Sequence, residues 1–417
     1  MNTAFKIIWR TGAAILALAV VLAAVWFVRL QFGWVTPPAD APFTAELYDS
    51  RYADAADAAG EALAAMRART GVPGASAAVS IDGRLVWAAG AGFADIHTLE
   101  PVTPQTSFRI GSTSKAMTAT VIARLAADGV LDLDDRVGEH WSAPLNPDWA
   151  PLTLRRLMSH TAGMPGYENN TDYLGLIGTL RMQHRFDSVE DGLSLVDGSR
   201  LAYEPGEDFF YSSFDVNLAA RVAEAAGGRS YGDLLAERVT RPLGLETPYL
   251  ADHGAKPARE ASWHQLDRGR ARIHPRTDVS QRWPGGGLAA RSSDLVQVAG
   301  AWLDENFIPR RLAEDFWTPV RLNDGTVNEQ NYAVGWRSDR VTTRFGADAP
   351  VRMVHHGGVS RGAMSWLALY PDLGIAVAVN INAETLEFSD FASVEPEILR
   401  LFAEAAGRTP PDAAPPG

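Results

Sequence analysis

The sequence predicts a mixed α/β protein of the α+β kind: one antiparallel sheet flanked by helices, with a mostly helical lobe inserted into it. Three observations carry this expectation. An apolar stretch at 75–81, the pair Asp82-Gly83, and residues 84–89 read as a β-hairpin near the N-terminus. Residues 365–370 and 374–380 flank Pro371-Asp372-Leu373 and form a second hairpin near the C-terminus. Between them, residues 135–345 read mostly as helix and loop. Strands at both ends around a helical middle fit a single sheet built from both termini.

The chain opens with Lys6 and Arg10, then an uncharged run at 11–28 rich in Ala, Leu and Val. Trp9, Trp26, Phe27 and Trp34 flank or end it, as interfacial aromatics do. About 18 apolar residues are just enough to cross a bilayer. The expectation is an uncleaved anchor at 1–34, because no clear small-x-small site closes the run. A cleaved signal peptide is the alternative. Basic residues ahead of the span favour an exported body, so the expected place is the inner membrane, single-pass, with the body in the periplasm.

Residues 35–59, with Pro37-Pro38, Pro42 and many Ala and Asp, read as a linker. A helix is expected at 60–70, stopped by Val72-Pro73-Gly74. Another is expected from 116 to 127, apolar at Met117, Val121, Ile122 and Leu125. The sheet lobe is expected to take residues 60–134 and 346–408, and the helical lobe 135–345. Helices are expected there at 152–160, 214–227, 231–239 and 294–303. A last helix falls at about 396–406, and residues 409–417 read as a disordered tail.

Composition narrows function. The 417 residues are 46% hydrophobic, enough for a large core, and carry a net charge of −12. No basic run stands out, so nucleic acid is not an expected partner. With no cysteine there is no disulfide, thiol nucleophile or thiolate metal site. None of the nine His lies in an H-E-x-x-H pattern, and no metal is expected.

The informative stretch is Ser112-Thr113-Ser114-Lys115. Residues three apart share a helix face, so a hydroxyl and an amine are brought together by local geometry. A helix N-terminus adds free N–H groups that suit a developing oxyanion. Of the 38 basic residues only Lys6, Lys115 and Lys256 are lysine. A desolvated lysine amine can act as a base where a guanidinium cannot. Alone, an S-x-x-K quartet is more often a surface lysine beside a capping serine. Two further segments change that balance. Tyr211-Ser212-Ser213 follows the turn Glu204-Pro205-Gly206 and opens a helix, where Tyr211 can relay a proton. His355-His356-Gly357-Gly358 closes a strand whose glycines permit close backbone approach.

In order and content these segments resemble the serine β-lactamase and penicillin-recognising family, of the S12 peptidase type. Its set begins with S-x-x-K, here Ser112 and Lys115. Tyr211-x-Ser213 stands for Y-x-N, and His355-x-Gly357 for K-T-G. Leu157-Met-Ser-His-Thr-Ala-Gly163, Gly285-Gly-Gly-Leu288 and Pro371-Asp372 support it over residues 60–405. The closest look is to the mitochondrial serine β-lactamase-like group, described as serine peptidases, one of which forms filaments. The resemblance implies a serine hydrolase working through an acyl-enzyme on an amide or ester, with no cofactor. It implies Ser112 as nucleophile, Lys115 as base, Tyr211 as relay and His355 as an orienting group. Ser213, Gly357 and Gly358 would bind substrate, the N–H groups of Ser112 and Gly358 forming the oxyanion hole. His and Ser in place of the family's Lys and Asn count against efficient β-lactam hydrolysis. A small-molecule or peptide substrate is expected, and a homo-oligomer is left open. A slow-turnover sensor that binds β-lactam or peptidoglycan, or a filament-forming role, are the alternatives.

Overall fold

The computed structural model describes residues 3–166, 185–251, 258–275, 277–346 and 349–410. Its centre is an eight-stranded antiparallel sheet. In chain order the strands are β1 Phe43–Leu47, β2 Gly74–Ile81, β3 Arg84–Asp95, β4 Glu100–Pro101, β5 Arg337–Val341, β6 Val351–Ser360, β7 Ala363–Tyr370 and β8 Ile375–Ile381. Across the sheet they run β1-β3-β2-β8-β7-β6-β5, with β4 beside β3. The two ends of the chain meet where β2 pairs with β8, Val79 opposite Val377. The expected α+β architecture is therefore the observed one.

Strand alternation sorts the core into two layers. Ile375, Val377, Val379 and Ile381 of β8 face one side, with helices α2 (Ala53–Thr70) and α6 (Glu395–Ala405) packed over them. Ala376 and Ala378 face the other side, toward α3 (Ser114–Ala127), α4 (Ser213–Gly227) and α5 (Ser292–Ala301). Burying each large aliphatic of β8 contributes about 2 kcal/mol. Small residues on the opposite face bring α5 close: a Cβ on Gly300 would lie 2.7 Å from Cα of Gly83.

Helix α1 (Thr3–Gln31) contains one span, Trp9–Val28, long and apolar enough to cross a membrane. At about 1.5 Å per residue its 20 residues cover about 30 Å. Residues 35–59 are not the linker expected. They hold β1 and the opening turns of α2, which starts at Ala53. A five-residue edge strand is too short to show periodicity, and it is specified instead by its partner, from Phe43↔Ala91 to Leu47↔Trp87. The sheet also regains the chain at β5, before the boundary expected near 346. Of the expected tail at 409–417, residues from 411 onward lie outside the described residues.

Candidate active site

Ser112 sits in a single 3₁₀ turn, Gly111–Thr113, that runs straight into α3. Gly111 has φ +50°, and a Cβ there would lie 2.5 Å from the Val359 carbonyl. A Cβ on Gly358 would lie 1.8 Å from the Ile110 carbonyl. No side chain fits either position, so the turn and strand β6 are locked backbone to backbone. The Ser114 hydroxyl donates to Gly111 O at 2.6 Å and accepts from Leu288 N at 3.1 Å, pinning the turn.

One helical turn on, Lys115 is fully buried. Its Nζ lies 3.4 Å from Ser112 Oγ, 3.1 Å from Ser213 Oγ and 2.5 Å from Gly285 O. Desolvation pushes its pKa well below the ordinary lysine range; Arg282 and Arg337 push the same way, and Asp215 opposes them weakly. A neutral amine has two N–H donors and one lone pair. In that form Gly285 O and Ser213 Oγ can take both donors, with the lone pair left on the side of the Ser112 hydroxyl.

Tyr211 lies against the same pair, with its ring centroid 4.6 Å from Lys115 Nζ and its hydroxyl hydrogen-bonded to Ser112. Burial pushes its pKa up to about 12, against that hydrogen bond and the two arginines. The two shifts run in opposite directions: burial favours the protonated phenol and the deprotonated amine. Tyr211 rests on His160, ring centroids 4.4 Å apart. His160 Nδ1 lies 2.9 Å from Asp215 Oδ2, and both side chains are buried. Burial lowers the His160 pKa well below its ordinary value and raises that of Asp215 well above.

The structure brings Ser112, Lys115, Tyr211 and Ser213 together, but it turns His355 away. His355 lies on the α2/α6 side of the sheet, stacked on Trp366 at 4.9 Å, with Nε2 2.7 Å from Asp339 Oδ2. The histidine on the serine side is His356. Its Nε2 lies 2.8 Å from the Tyr332 hydroxyl and its Nδ1 2.7 Å from Gly357 O, so Nδ1 carries the proton and Nε2 accepts. Burial holds it neutral. The tight residue of the strand is accordingly Gly358, while Gly357 faces Phe388 on the far side. The sequence could not choose between two adjacent histidines, because one residue of register exchanges the faces of a strand.

The backbone follows the same logic. Strands β6 and β7 pair at Ser360↔Ala363 around the two-residue turn Arg361-Gly362. A pair closing such a turn exchanges hydrogen bonds across the hairpin. By alternation the N–H groups of Gly357 and Val359 turn to the opposite edge, beyond the end of β5, which pairs only as far as His355. Val359, not Gly358, therefore offers its N–H beside Ser112. Arg337, at the start of β5, is a second group the sequence reading missed. Its guanidinium lies 5.5 Å from the Tyr211 ring centroid and 5.1 Å from that of Tyr332. Among the described residues it pairs with no carboxylate; its contact is Gln330 Oε1 at 2.5 Å. A local charge of this kind has no periodicity to announce it.

Residues 59–394 match the family described as Beta-lactamase. Over 412 residues the chain is 25% identical to the mitochondrial serine beta-lactamase-like protein LACTB of Bos taurus, covering 79% of this chain and 74% of that one. Among solved structures it is similar to SurE, with a TM-score of 0.67 and 26% identity, covering 88% of this chain and 81% of that one. It is also similar to a D-stereospecific amidohydrolase from Streptomyces sp., with a TM-score of 0.65 and 26% identity over 82% and 98% of the two chains.

Proposed function

The chain belongs to the Beta-lactamase family, and from that premise we propose that it is a membrane-anchored serine hydrolase acting on an amide or ester through an acyl-enzyme. The observation that carries this reading is the fully buried Lys115, whose pKa burial depresses and whose Nζ lies 3.4 Å from Ser112 Oγ. Ser112 Oγ attacks the substrate carbonyl carbon and its proton passes to Lys115 Nζ. The carbonyl oxygen, now negative, is held by the N–H groups of Ser112 and Val359. As the bond to the leaving group breaks, the proton moves from Lys115 through the Tyr211 hydroxyl to the departing nitrogen or oxygen. Water then attacks the ester, its proton returns through Lys115 to Ser112 Oγ, and the acid leaves.

His356 is neutral and cannot supply the charge that the family's lysine brings to this place. Arg337, with Arg282 nearby, supplies it instead and favours a substrate with a carboxylate near the scissile bond. Efficient β-lactam turnover is not part of this reading. The Trp9–Val28 helix supports anchoring, and Lys6 ahead of it with Arg10 in its first turn supports an exported body.

The test is intact mass after exposure to a fluorophosphonate, which traps activated serines. One adduct on the parent and none on Ser112→Ala is the expected result. No adduct on the parent would overturn the mechanism.

A further inference from the structure

The segment that leaves α1 does not hang free. Val35 forms a two-way backbone bridge with Ala271, Val35 N to Ala271 O and Ala271 N to Val35 O both at 2.8 Å. Val35 and Ala41 pack on a small apolar cluster with Phe93, Ile96, Ala271 and Leu266. Ala271 belongs to a separate two-stranded hairpin, His264–Asp267 and Arg270–Ile273. From Gln31 at the end of α1 to Val35 there are four residues, which reach at most about 14 Å. A chain anchored through Trp9–Val28 therefore carries this hairpin at the bilayer surface.

The hairpin's chemistry suits that place. Trp34 lies between two arginines, 4.6 Å from the Arg272 guanidinium and 5.5 Å from that of Arg270. Arg268, exposed, occupies the hairpin tip with φ +49°, in a turn where Asn or Gly is the usual choice. Ile273 is an exposed aliphatic at the hairpin's end. From Arg259 to Arg276 the sequence has five arginines against two acids, inside a chain whose net charge is −12. Tryptophan, arginine and an exposed aliphatic at the end of a span match the interfacial zone of an anionic bilayer.

We propose that the His264–Ile273 hairpin, with Trp34, is a membrane-contact element that binds anionic lipid headgroups and fixes how the hydrolase body sits on the bilayer. This rests on the anchor reading above and is independent of the chemistry at Ser112. The base of the hairpin also packs on the catalytic strand pair: His264 N donates to Gly362 O at 3.3 Å, and a Cβ on Gly362 would lie 2.7 Å from Cβ of Trp263. Gly362 is three residues from Val359, so the oxyanion edge lies beside the contact surface and the cleft works close to the membrane.

The absence of cysteine gives a clean test. Full-length Ile273→Cys and Arg229→Cys, the latter beyond the far end of α4, each take one fluorophore and are reconstituted into phosphatidylcholine vesicles with and without phosphatidylglycerol. Quenching by headgroup-region spin-labelled lipid is expected to be several-fold stronger at 273 than at 229. It should rise with phosphatidylglycerol, and Arg268→Glu should abolish that rise. Equal quenching at the two positions, with the chain still in the vesicles after an alkaline wash, overturns the contact while the anchor stands. Strong quenching at 273 that ignores both phosphatidylglycerol and Arg268→Glu overturns the headgroup assignment. Loss of the chain in the wash overturns the anchor, and the contact with it.

Discussion

Two basic side chains on opposite faces of the same sheet, Arg344 half-buried and Lys115 fully buried, are treated in opposite ways. Under α2 and α6, Arg344 meets the buried Glu395 at 3.0 Å, and the Tyr370 hydroxyl donates to Glu395 at 2.7 Å while accepting from Arg344 Nε at 2.8 Å. Charge is matched by charge there, and the cluster ties the β6/β7 end of the sheet to α6. On the other face, Lys115 is buried among hydroxyls and a carbonyl, with no carboxylate in contact among the described residues. Removing one partner of a pair such as Arg344 and Glu395 strands the other charge, which is strongly destabilising. Burial of an amine without such a partner favours its neutral form, the form a base needs.

The largest expected effect is at the unpaired site. Lys115→Met should slow acylation by about 10⁴-fold or more, since a nucleophile without its base loses most of the chemical step. Its stability should move the other way. Between its depressed folded pKa and the ordinary value of 10.5 the unfolded chain holds a proton that the folded chain has released. Stability of the parent therefore rises with pH across that window. Urea unfolding should show Lys115→Met the more stable at neutral pH, with the gap closing as pH nears 10.5. A less stable variant at neutral pH would break the contrast between the two sites.

Glu395→Gln tests the paired site. It leaves the Arg344 guanidinium without its counter-charge and should cost about 3 kcal/mol of stability. The acylation rate of the folded fraction should stay unchanged, as measured well below the melting transition. Tyr211→Phe should come next, with turnover lowered about 10²- to 10³-fold, the range of a lost proton relay, and near-native thermal unfolding. The smallest effect separates the histidines. His355→Gln should leave acylation within about twofold, because a side chain outside the cluster shifts such energies by about 0.5 kcal/mol at most. His356→Gln should reduce acylation clearly more. The reverse order would restore His355 to the site.

Much of this was legible in the residues. Ser112, Lys115, Tyr211 and Ser213 follow from a helix repeat and a loop–helix junction, both local, and the structure places them in contact. The hairpins at 74–95 and 363–381 follow from turn chemistry, which is also local. What escaped depends on pairing across the chain. The choice of His356 over His355 needed the register of β6 against β7. Strand β1 is recognised by β3 rather than by its own five residues. The arginines at 268, 270 and 272 alternate with other residues and form no run, so their cluster appears only once the strand sets their faces and Trp34 docks beside them.

The β2–β8 seam has a consequence in time. Val79 and its partner Val377 are 298 residues apart (377 − 79). Contacts of such long range form slowly, after a costly loop closure. During synthesis the Ser112–Lys115 turn leaves the ribosome long before β6, which carries His356 and Val359, exists to complete it. The pocket around Ser112 and Lys115 is therefore assembled from segments made early and late in synthesis, and its geometry is complete only once β6 has joined the sheet.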